Sequence, residues 1–341
     1  MEEFEELVCR HVGQSFGIAV SSGTAGLHLC IRALGIGVGD EVIVPSFTFV
    51  AAANAVRYEG ATPVFADIEP RSLNLDPERI EAAITHRTRA ILVVHTFGCP
   101  AEMQPILEIA RRHHLRVIED ACEAIGAMYH GSQVGSFGDA AVFAFYPNKQ
   151  ITTGEGGLVV TGDPELAREI RAMRNHGRYE SDEWHQHSIL GYNYRLSEIH
   201  CALGCAQMRR LPEILALREQ VARRYEALLR DIPELVLPRT DVAGIRLSWF
   251  VYVARLRDPF TQQQRDAILR MLHQRGIGCG RYFAPIHSQP AFAEMPVRWP
   301  LPVTESVSRK TLALPFFTSL GDEEIVRVSQ AVRESVAAAS R

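Results

Sequence analysis

The sequence has 341 residues, of which 47% are hydrophobic and 22% are charged, and its formal net charge is −4. This composition is typical of a globular protein and excludes collagen, coiled coils and disordered tails. A slightly acidic chain offers no general attraction for nucleic-acid phosphates, so we expect no nucleic-acid partner. The length predicts a large domain and a smaller one, which we place at residues 1–230 and 231–341.

The N-terminus, MEEFEELVCR, lacks the basic and then apolar layout of a signal peptide. No apolar run reaches the roughly 18 residues of a membrane span, so we expect a cytoplasmic protein without membrane contact. Its scattered cysteines suit a reducing compartment. Cys201 and Cys205 share a helical face with His200, but a structural zinc needs four ligands and no second cluster supplies them. We therefore expect no metal.

The first half of the chain alternates short β-branched runs with helical stretches. The predicted strands are FGIAV, DEVIVPS, TPVFADI, RAILVVHTF, RVIED, AAVFAF and GLVVT. Predicted helices cover TAGLHLCIRAL and residues 51–57, 77–84 and 102–113. Nearly continuous apolar strands separated by helices predict an α/β fold with a large, mostly parallel sheet covered on both faces. Such sheets bind ligands at the carboxyl ends of their strands.

The second half of the chain has a different pattern. A helix ends at Gly177, a polar and aromatic loop covers 178–194, and a long bridging helix follows that we expect to be interrupted near Pro212. A strand SWFVYVARL, a helix over 261–275, a strand IGCGRYF and a closing helix over 322–338 complete the chain. This order predicts a smaller C-terminal α+β domain.

The segment SSGTAG, residues 21–26, follows a strand and opens a helix. Backbone amides at a helix start, made approachable by glycine and supplemented by hydroxyls, form an anion pocket. An ordinary helix cap is the alternative interpretation, since Ser and Thr cap many helices.

Asp120 ends the predicted strand RVIED. A carboxylate at this end of a strand points into the ligand crevice of a parallel sheet, whereas a structural Asp would cap the next helix. The side chain of Glu119 points to the opposite face, so only one of the two carboxylates can meet a ligand there.

Lys149 follows the strand AAVFAF in a loop that contains proline and glycine. A single lysine is usually a solvated surface residue. Here, however, Lys149 and Lys310 are the only lysines in a chain that otherwise uses arginine. A lysine amine can form an imine and arginine cannot, so imine chemistry would explain why this position has lysine and not arginine.

An anion pocket, a strand-end carboxylate and a loop lysine together suit pyridoxal 5′-phosphate. This cofactor needs a phosphate cup, an amine for its aldehyde and a carboxylate against its pyridine nitrogen. The chain resembles the DegT/StrS-type sugar aminotransferases of pyridoxal-phosphate fold type I. The resemblance rests on SSGTAGLHL, GIGVGDEVIVPSFTFVAAANAV, GATPVFADIEP, VIEDACEAIGA, VGSFGDAAVFAFYPNK, TTGEGG, RNHG and GYNYRLSEI.

The resemblance implies a role for each matching residue. Lys149 would form the internal aldimine, and Asp120 would pair with the pyridine nitrogen. By the same resemblance, Gly23, Thr24 and Ala25 would hold the phosphate and Phe49 would stack on the ring. Glu123 would lie near the 3-oxygen of the ring, and Asn193 would reach the phosphate of a neighbouring subunit. The family often has Gln or His at the 3-oxygen position. The reach of Asn193 implies a homodimer with shared sites.

The activity implied is a ping-pong transfer of an amino group from L-glutamate to a nucleotide-linked keto-sugar. YPNKQITTGEGG and GRYFAPIHSQPAF are most similar to the perosamine-synthase-like enzymes, which aminate C4 of a 4-keto-6-deoxyhexose. Tyr282 and His287 are candidates for the sugar pocket, with packing as the alternative. Arg195 is a candidate for a carboxylate or diphosphate, with a salt bridge as the alternative.

Two features depart from the family pattern. Ala144 stands where many relatives have a phosphate-binding serine, and the segment that relatives carry ahead of the helix EEFEEL is missing from this sequence. If that segment helps to cover a partner's site, we expect substrate binding to be impaired. A misplaced start codon is the alternative explanation.

Three other functions fit parts of the pattern. A pyridoxamine-dependent sugar dehydratase would have histidine in place of Lys149. Amination of a keto-inositol or a 3-keto-sugar agrees with the same motifs. A non-catalytic binding or sensory protein of this fold would not need both Lys149 and Asp120.

Overall fold

The structure is a computed structural model that describes residues 1–240, 242–295 and 297–340. Its strands are β1 (Phe16–Val20), β2 (Glu41–Pro45), β3 (Thr62–Ala66), β4 (Thr88–Val94), β5 (Arg116–Asp120), β6 (Met128–Tyr129), β7 (Ser132–Gln133), β8 (Ala140–Ala144), β9 (Gly157–Thr161), β10 (Leu235–Val236), β11 (Ile245–Arg246), β12 (Tyr252–Leu256) and β13 (Thr311–Leu314). Its α-helices are α1 (Glu2–Val12), α2 (Gly23–Ala33), α3 (Ala51–Tyr58), α4 (Pro77–Ala83), α5 (Met103–Arg112), α6 (Pro164–Arg174), α7 (Glu198–Leu229), α8 (Gln262–Gln274), α9 (Pro302–Ser308) and α10 (Asp322–Ala339).

The large sheet confirms the predicted α/β class. Over the described residues it has seven strands in the order β1-β9-β8-β5-β4-β2-β3. Only β9 runs against its neighbours in this sheet, being antiparallel to both β8 and β1. The other strands therefore all end at one edge, which is where a ligand crevice is expected.

Helices cover both faces of this sheet, because alternate residues of each strand point in opposite directions. In β8, Val142 joins the apolar core beneath α2, α3 and α6, while Phe143 joins the core beneath α1 and α7. Several helix starts are fixed by side chains in their sequences. Asp163 accepts the amides of Glu165 and Leu166 at the start of α6, and Thr261 forms a capping box at the start of α8.

The predicted interruption near Pro212 is wrong. Helix α7 runs unbroken for 32 residues with Pro212 inside it. The proline lacks the amide that would donate to the preceding turn, but buried residues on both sides of it, including Met208 and Leu215, pack in the core. Tertiary packing thus holds the helix together across the proline.

The C-terminal region contains a three-stranded sheet in the order β10-β12-β13. The predicted strand SWFVYVARL is confirmed in its second half as β12, and the closing helix is confirmed as α10. The predicted strand IGCGRYF is wrong, since only Gly280 bridges to Ala313. The strand beside β12 is instead β13, at Thr311–Leu314. The division near residue 230 stays a prediction, although α7 ends at Leu229 and its last turns lie in the core of this sheet.

Among the residues described, none of the helices combines the length and the hydropathy that a membrane span requires.

Candidate active site

A cavity of about 520 Å³ lies at the edge where the parallel strands end. Strands β5 and β8 end there at Asp120 and Ala144, and the loop after β8 brings Lys149 to the same space. The remaining lining residues come from the start of α2, the loop after β2, the end of β4, the loops after β5 and β8, the loop before β9 and the C-terminal region: Ser22, Gly23, Thr24, Leu27, Thr48, Phe49, Ala51, Val94, Cys122, Glu123, Tyr146, Asn148, Glu155, Gly156, Phe250, Tyr282 and Phe283. The predicted cofactor residues Gly23, Thr24, Phe49, Asp120, Glu123 and Lys149 are thus brought together.

Strand register builds one end of this cavity. Gly157, the first residue of β9, pairs with Val20 at the end of β1 and with Ala144 at the end of β8. The start of α2 follows directly after β1. A Cβ added to Gly157 would lie 2.5 Å from the Ser22 carbonyl carbon, so the chain approaches closely there only because this residue is glycine.

The first turn of α2 offers backbone donors to an anion. The side-chain oxygen of Ser22 caps the helix and accepts the Ala25 amide at 3.1 Å. The amides of Gly23 and Thr24 lie two positions and one position earlier, where a helix supplies no acceptor of its own. The cap interpretation of SSGTAG is confirmed at Ser22, and the amide of Ala25 is engaged with that cap. Gly23 and Thr24 line the cavity, and their binding of an anion stays a prediction.

Gly23 can only be glycine at this position. A Cβ on it would lie 2.8 Å from Cys122 Sγ and 2.9 Å from Ala144 Cβ. The end of β8 therefore packs directly under the helix start. Burial and the neighbouring Asp120 carboxylate raise the pKa of the Cys122 thiol well above its usual value, so this side chain is a neutral part of the wall.

Asp120 is buried at the end of β5, between Val94 of β4 and Val142 of β8. One carboxylate oxygen, Oδ1, accepts the amide of Cys122 at 3.1 Å. The backbone carbonyl of Asp120 accepts the amide of His95 at 3.1 Å. Backbone contacts thus hold the carboxylate in the wall of the cavity, where it can meet a protonated ring nitrogen.

Lys149 lies against an acid and an aromatic ring. Its Nζ is 3.6 Å from Glu123 Oε1 and 4.1 Å from the centre of the Phe250 ring. Its side chain is only 14% exposed. The interpretation of Lys149 as a solvated surface residue is therefore wrong: its amine is held inside the cavity.

Glu123 is buried behind the lysine amine. Its Oε2 accepts the amide of Phe97 at 2.9 Å. Burial raises the pKa of Glu123 above its usual value, while Lys149 and the Phe97 amide oppose this rise. The carboxyl group can consequently hold a proton more readily than an exposed one.

Phe49 lines the cavity mouth with 62% of its surface exposed. A ring in this place is available to stack on a bound aromatic molecule.

Tyr282 and His287 lie in different places. Tyr282 lines the same cavity as Lys149, and burial raises the pKa of its hydroxyl. His287 lines a separate cavity beside α9, where its Nδ1 is 2.7 Å from Ser46 Oγ. Burial lowers the pKa of His287. The structure does not bring His287 into the lysine cavity, because Phe283 lies between the two spaces and lines both.

Asn193 and Arg195 lie on an exposed segment outside this cavity. Asn193 forms a bridge with Asn175, and Arg195 forms one with Val20. The guanidinium of Arg195 donates to Asn175 Oδ1 at 2.6 Å. Arg195 is therefore fixed to the end of β1 and Asn193 to the end of α6, and both residues are exposed.

Phe250 was not predicted as a site residue. Its segment was predicted as a strand, and the sequence contains no signal for its packing against a lysine about a hundred residues earlier. Cys122 was not predicted as a site residue either, although its position two residues after Asp120 indicates that it lies close to the site.

Comparison with known proteins identifies the family of this chain. A model of the DegT/DnrJ/EryC1/StrS aminotransferase family matches residues 1–333. The chain is 43% identical to the GDP-perosamine synthase of Caulobacter vibrioides over 97% of this chain and 88% of that protein. It is 41% identical to the UDP-N-acetyl-3-dehydro-alpha-D-glucosamine 3-aminotransferase of Acidithiobacillus ferrooxidans over 95% of this chain and 85% of that protein.

Solved structures show the same likeness. DesV of S. venezuelae superposes with a TM-score of 0.90 at 39% identity, covering 100% of this chain and 89% of its own.

The cavity fits pyridoxal phosphate by its own chemistry. It combines a buried amine, a buried carboxylate and the two backbone amides at the start of α2. One of these amides belongs to Gly23, where a Cβ would not fit. When bound, this cofactor supplies the aldehyde that takes up an amino group and a ring that accepts electrons. The chain belongs to the DegT/DnrJ/EryC1/StrS family and is a pyridoxal-phosphate-dependent sugar aminotransferase of fold type I.

Proposed function

We propose that the protein moves an amino group from L-glutamate to C4 of a nucleotide-linked 4-keto-6-deoxyhexose by a ping-pong mechanism. The observation that carries this proposal is the single cavity in which Lys149, Asp120 and the start of α2 meet. The preference for C4 is supported by the 43% identity with a GDP-perosamine synthase.

In this proposal each residue has one task. Lys149 holds the aldehyde of the cofactor and, once released, moves a proton between the substrate carbon and the cofactor. Asp120 keeps the ring nitrogen protonated, and the amides of Gly23 and Thr24 bind the phosphate. Phe49 stacks on the ring. Tyr282 is placed to contact the sugar, since it lines the same space.

A 3-keto-sugar is the second candidate substrate. The 41% identity with a UDP-N-acetyl-3-dehydro-alpha-D-glucosamine 3-aminotransferase favours it. The two candidates are separated by incubating the purified protein with L-glutamate and either a GDP-linked 4-keto-6-deoxyhexose or a UDP-linked 3-keto-sugar. Release of more than one equivalent of 2-oxoglutarate per active site, with the first sugar only, supports the proposal. Release with the second sugar only overturns the assignment to C4.

We also propose a homodimer in which Asn193 completes the phosphate site of the neighbouring subunit. Asn193 is exposed, and so are several large apolar side chains on the following helix and the loops around the site, namely Phe49, Leu190, Ile199 and Leu203. A surface of this kind is expected to be covered by a partner.

Subunit mixing tests the shared site. Lys149→Ala and Asn193→Ala subunits are each expected to be nearly inactive alone. After unfolding and refolding together, a shared site predicts recovery of about a quarter of the wild-type activity, since half of the dimers are mixed and each has one intact site. No recovery from a mixture that forms dimers would contradict sharing.

The cytoplasmic location stays a proposal. All seven cysteines are free thiols in the structure, which fits a reducing compartment.

A further inference from the structure

Arg218, in the middle of helix α7, is buried among backbone carbonyls. Its Nε donates to the carbonyl of Trp249 and its Nη2 to the carbonyl of Phe250, both at 2.7 Å. Its guanidinium also lies 5.1 Å from the centre of the Phe316 ring. No carboxylate forms an ion pair with it in the described part of the chain. Burial lowers the pKa of Arg218 to about 10, so it stays charged at neutral pH.

The two carbonyls that Arg218 holds belong to a strained turn. Trp249 has a φ of 55°, a left-handed conformation that is costly for a large side chain. On the other side of the turn, the amides of Ser248 and Phe250 donate to the carbonyls of Gly98 and Phe97. A strained conformation persists only where its surroundings enforce it, and here the charge-assisted contacts from Arg218 do so.

The turn sets the Phe250 ring against the Lys149 amine. The ring centre is 4.1 Å from Nζ, within the range of a cation–π contact, and Glu123 lies 3.6 Å from Nζ. An aromatic ring attracts a charged ammonium but not a neutral amine, so this contact bears on how readily the amine reacts.

We propose that Arg218 is a positioning residue of the active site, which holds the Phe250 ring against Lys149 and thereby restrains the reactivity of its amine. This inference rests on the proposed role of Lys149 as the lysine that binds the cofactor. Arg218 would thus affect the Lys149 amine although its own side chain does not line the cavity.

The inference can be tested by comparing the reactivity of the two lysines of the chain. Lys310 lies in a different cavity, where its Nζ contacts Asp258 and Ser306, and it serves as an internal reference. The full-length protein, freed of cofactor, is treated with a trace amount of an amine-acylating reagent. Mass spectrometry of the peptides then gives the ratio of labelling at Lys149 to labelling at Lys310.

Phe250→Leu and Arg218→Met are each expected to raise this ratio about three- to tenfold near pH 8, because the ammonium loses its aromatic contact. The increase should be smaller near pH 10.5 than near pH 8, because an aromatic ring holds back a lysine amine only while the amine is charged. Combining both substitutions should add little to either one, because Arg218 acts through Phe250.

Arg265→Met is the matched control. Arg265 is also buried and also donates to carbonyls, those of Ser308 and Thr311, but it does not line the lysine cavity. Its substitution should leave the ratio unchanged.

Three results would overturn the proposal: a wild-type ratio in Arg218→Met, an equal increase at both pH values, or full additivity of the two substitutions. If Arg218→Met does not fold, Arg218→Lys replaces it. That variant keeps the charge but loses the paired contact, and a ratio less than about twofold above wild type would then overturn the proposal. Labelling of the cofactor-free chain is independent of whether Lys149 binds the cofactor, so a failure of that proposed role is recognised separately.

Discussion

The Nζ of Lys149 lies 3.6 Å from Oε1 of Glu123, and both side chains are almost fully buried. A buried acid beside a buried amine has opposing influences on its charge: burial favours the protonated acid, and the ammonium favours the carboxylate. Burial is the larger influence on Glu123.

This balance predicts how stability depends on pH. The pKa of Glu123 is raised above the value of 4.5 that it has when unfolded, so the folded state binds this proton more tightly. The free energy that Glu123 contributes to folding is therefore present below about pH 4.5 and is lost as the pH rises through the folded pKa. Glu123→Gln lacks this dependence. We expect its melting temperature, measured without cofactor, to rise relative to wild type between about pH 4.5 and 7.

Parallel melting curves of the two proteins over that pH range would contradict this expectation. Glutamine is a suitable replacement because its side-chain oxygen can still accept the Phe97 amide.

Asp120→Asn should leave the fold intact and remove most of the activity. The asparagine oxygen can still accept the Cys122 amide, but the residue cannot keep a ring nitrogen protonated. We expect kcat to fall by about a hundredfold or more, with a melting temperature near that of the wild type. The measurement is the steady-state rate of 2-oxoglutarate release with L-glutamate and the keto-sugar both saturating. A kcat within about threefold of the wild type would exclude the assigned role of Asp120.

Ala144→Ser should strengthen cofactor binding. The Ala144 side chain faces the helix start at Gly23, so a hydroxyl there lies close to the proposed phosphate position. One added hydrogen bond to a charged group is worth roughly 1.5 kcal/mol, or about a tenfold lower Kd for pyridoxal phosphate. Ala140→Ser, on the same strand and the same face, is the control, since it does not line the cavity. An unchanged Kd in Ala144→Ser would place the phosphate elsewhere.

Arg298→Ala should destabilise the protein in a manner that depends on pH. Glu41 is 1% exposed at the start of β2, where it forms ion pairs with Arg298 and Arg87 and accepts the Thr85 hydroxyl. These contacts lower the pKa of Glu41 to about 2, with the Arg298 hydrogen bond as the largest cause. The resulting stability is present above the unfolded pKa of 4.5 and is lost as the pH falls towards about 2.

We expect Arg298→Ala to lower the free energy of unfolding by about 2 to 3 kcal/mol at pH 7, measured by urea denaturation, with a smaller difference near pH 3. Arg87→Ala is the control. Arg87 is 51% exposed, so its removal should cost less than about 1 kcal/mol. Equal losses of unfolding free energy in Arg298→Ala and Arg87→Ala would contradict the expectation that the more buried ion pair contributes more stability.

The strands of the large sheet could be predicted from the sequence because each of them has its own local residue pattern. AAVFAF is apolar throughout and RVIED has an apolar, β-branched centre, and both runs are short, so their positions and the residues at their ends could be predicted locally. Asp120 and Lys149 were identified for this reason, and the cavity does bring them together.

Features that depend on packing between distant segments could not be predicted. Pro212 carries a strong local signal for a break, which buried neighbours in α7 override. Phe250 meets Lys149 only because Arg218 and the carbonyls at Phe97 and Gly98 fix its turn. His287 was grouped with Tyr282 because they are close in sequence, yet Phe283 separates the two cavities that they line.

The most direct test of the account is to find which side chain carries the cofactor. Borohydride reduction of the holoenzyme makes the bond between the cofactor and its lysine permanent, and peptide mass spectrometry then locates it. We expect the added mass on the peptide that contains Lys149 and none on the peptide that contains Lys310. Added mass on Lys310, or on neither lysine in a protein that holds the cofactor, would contradict it.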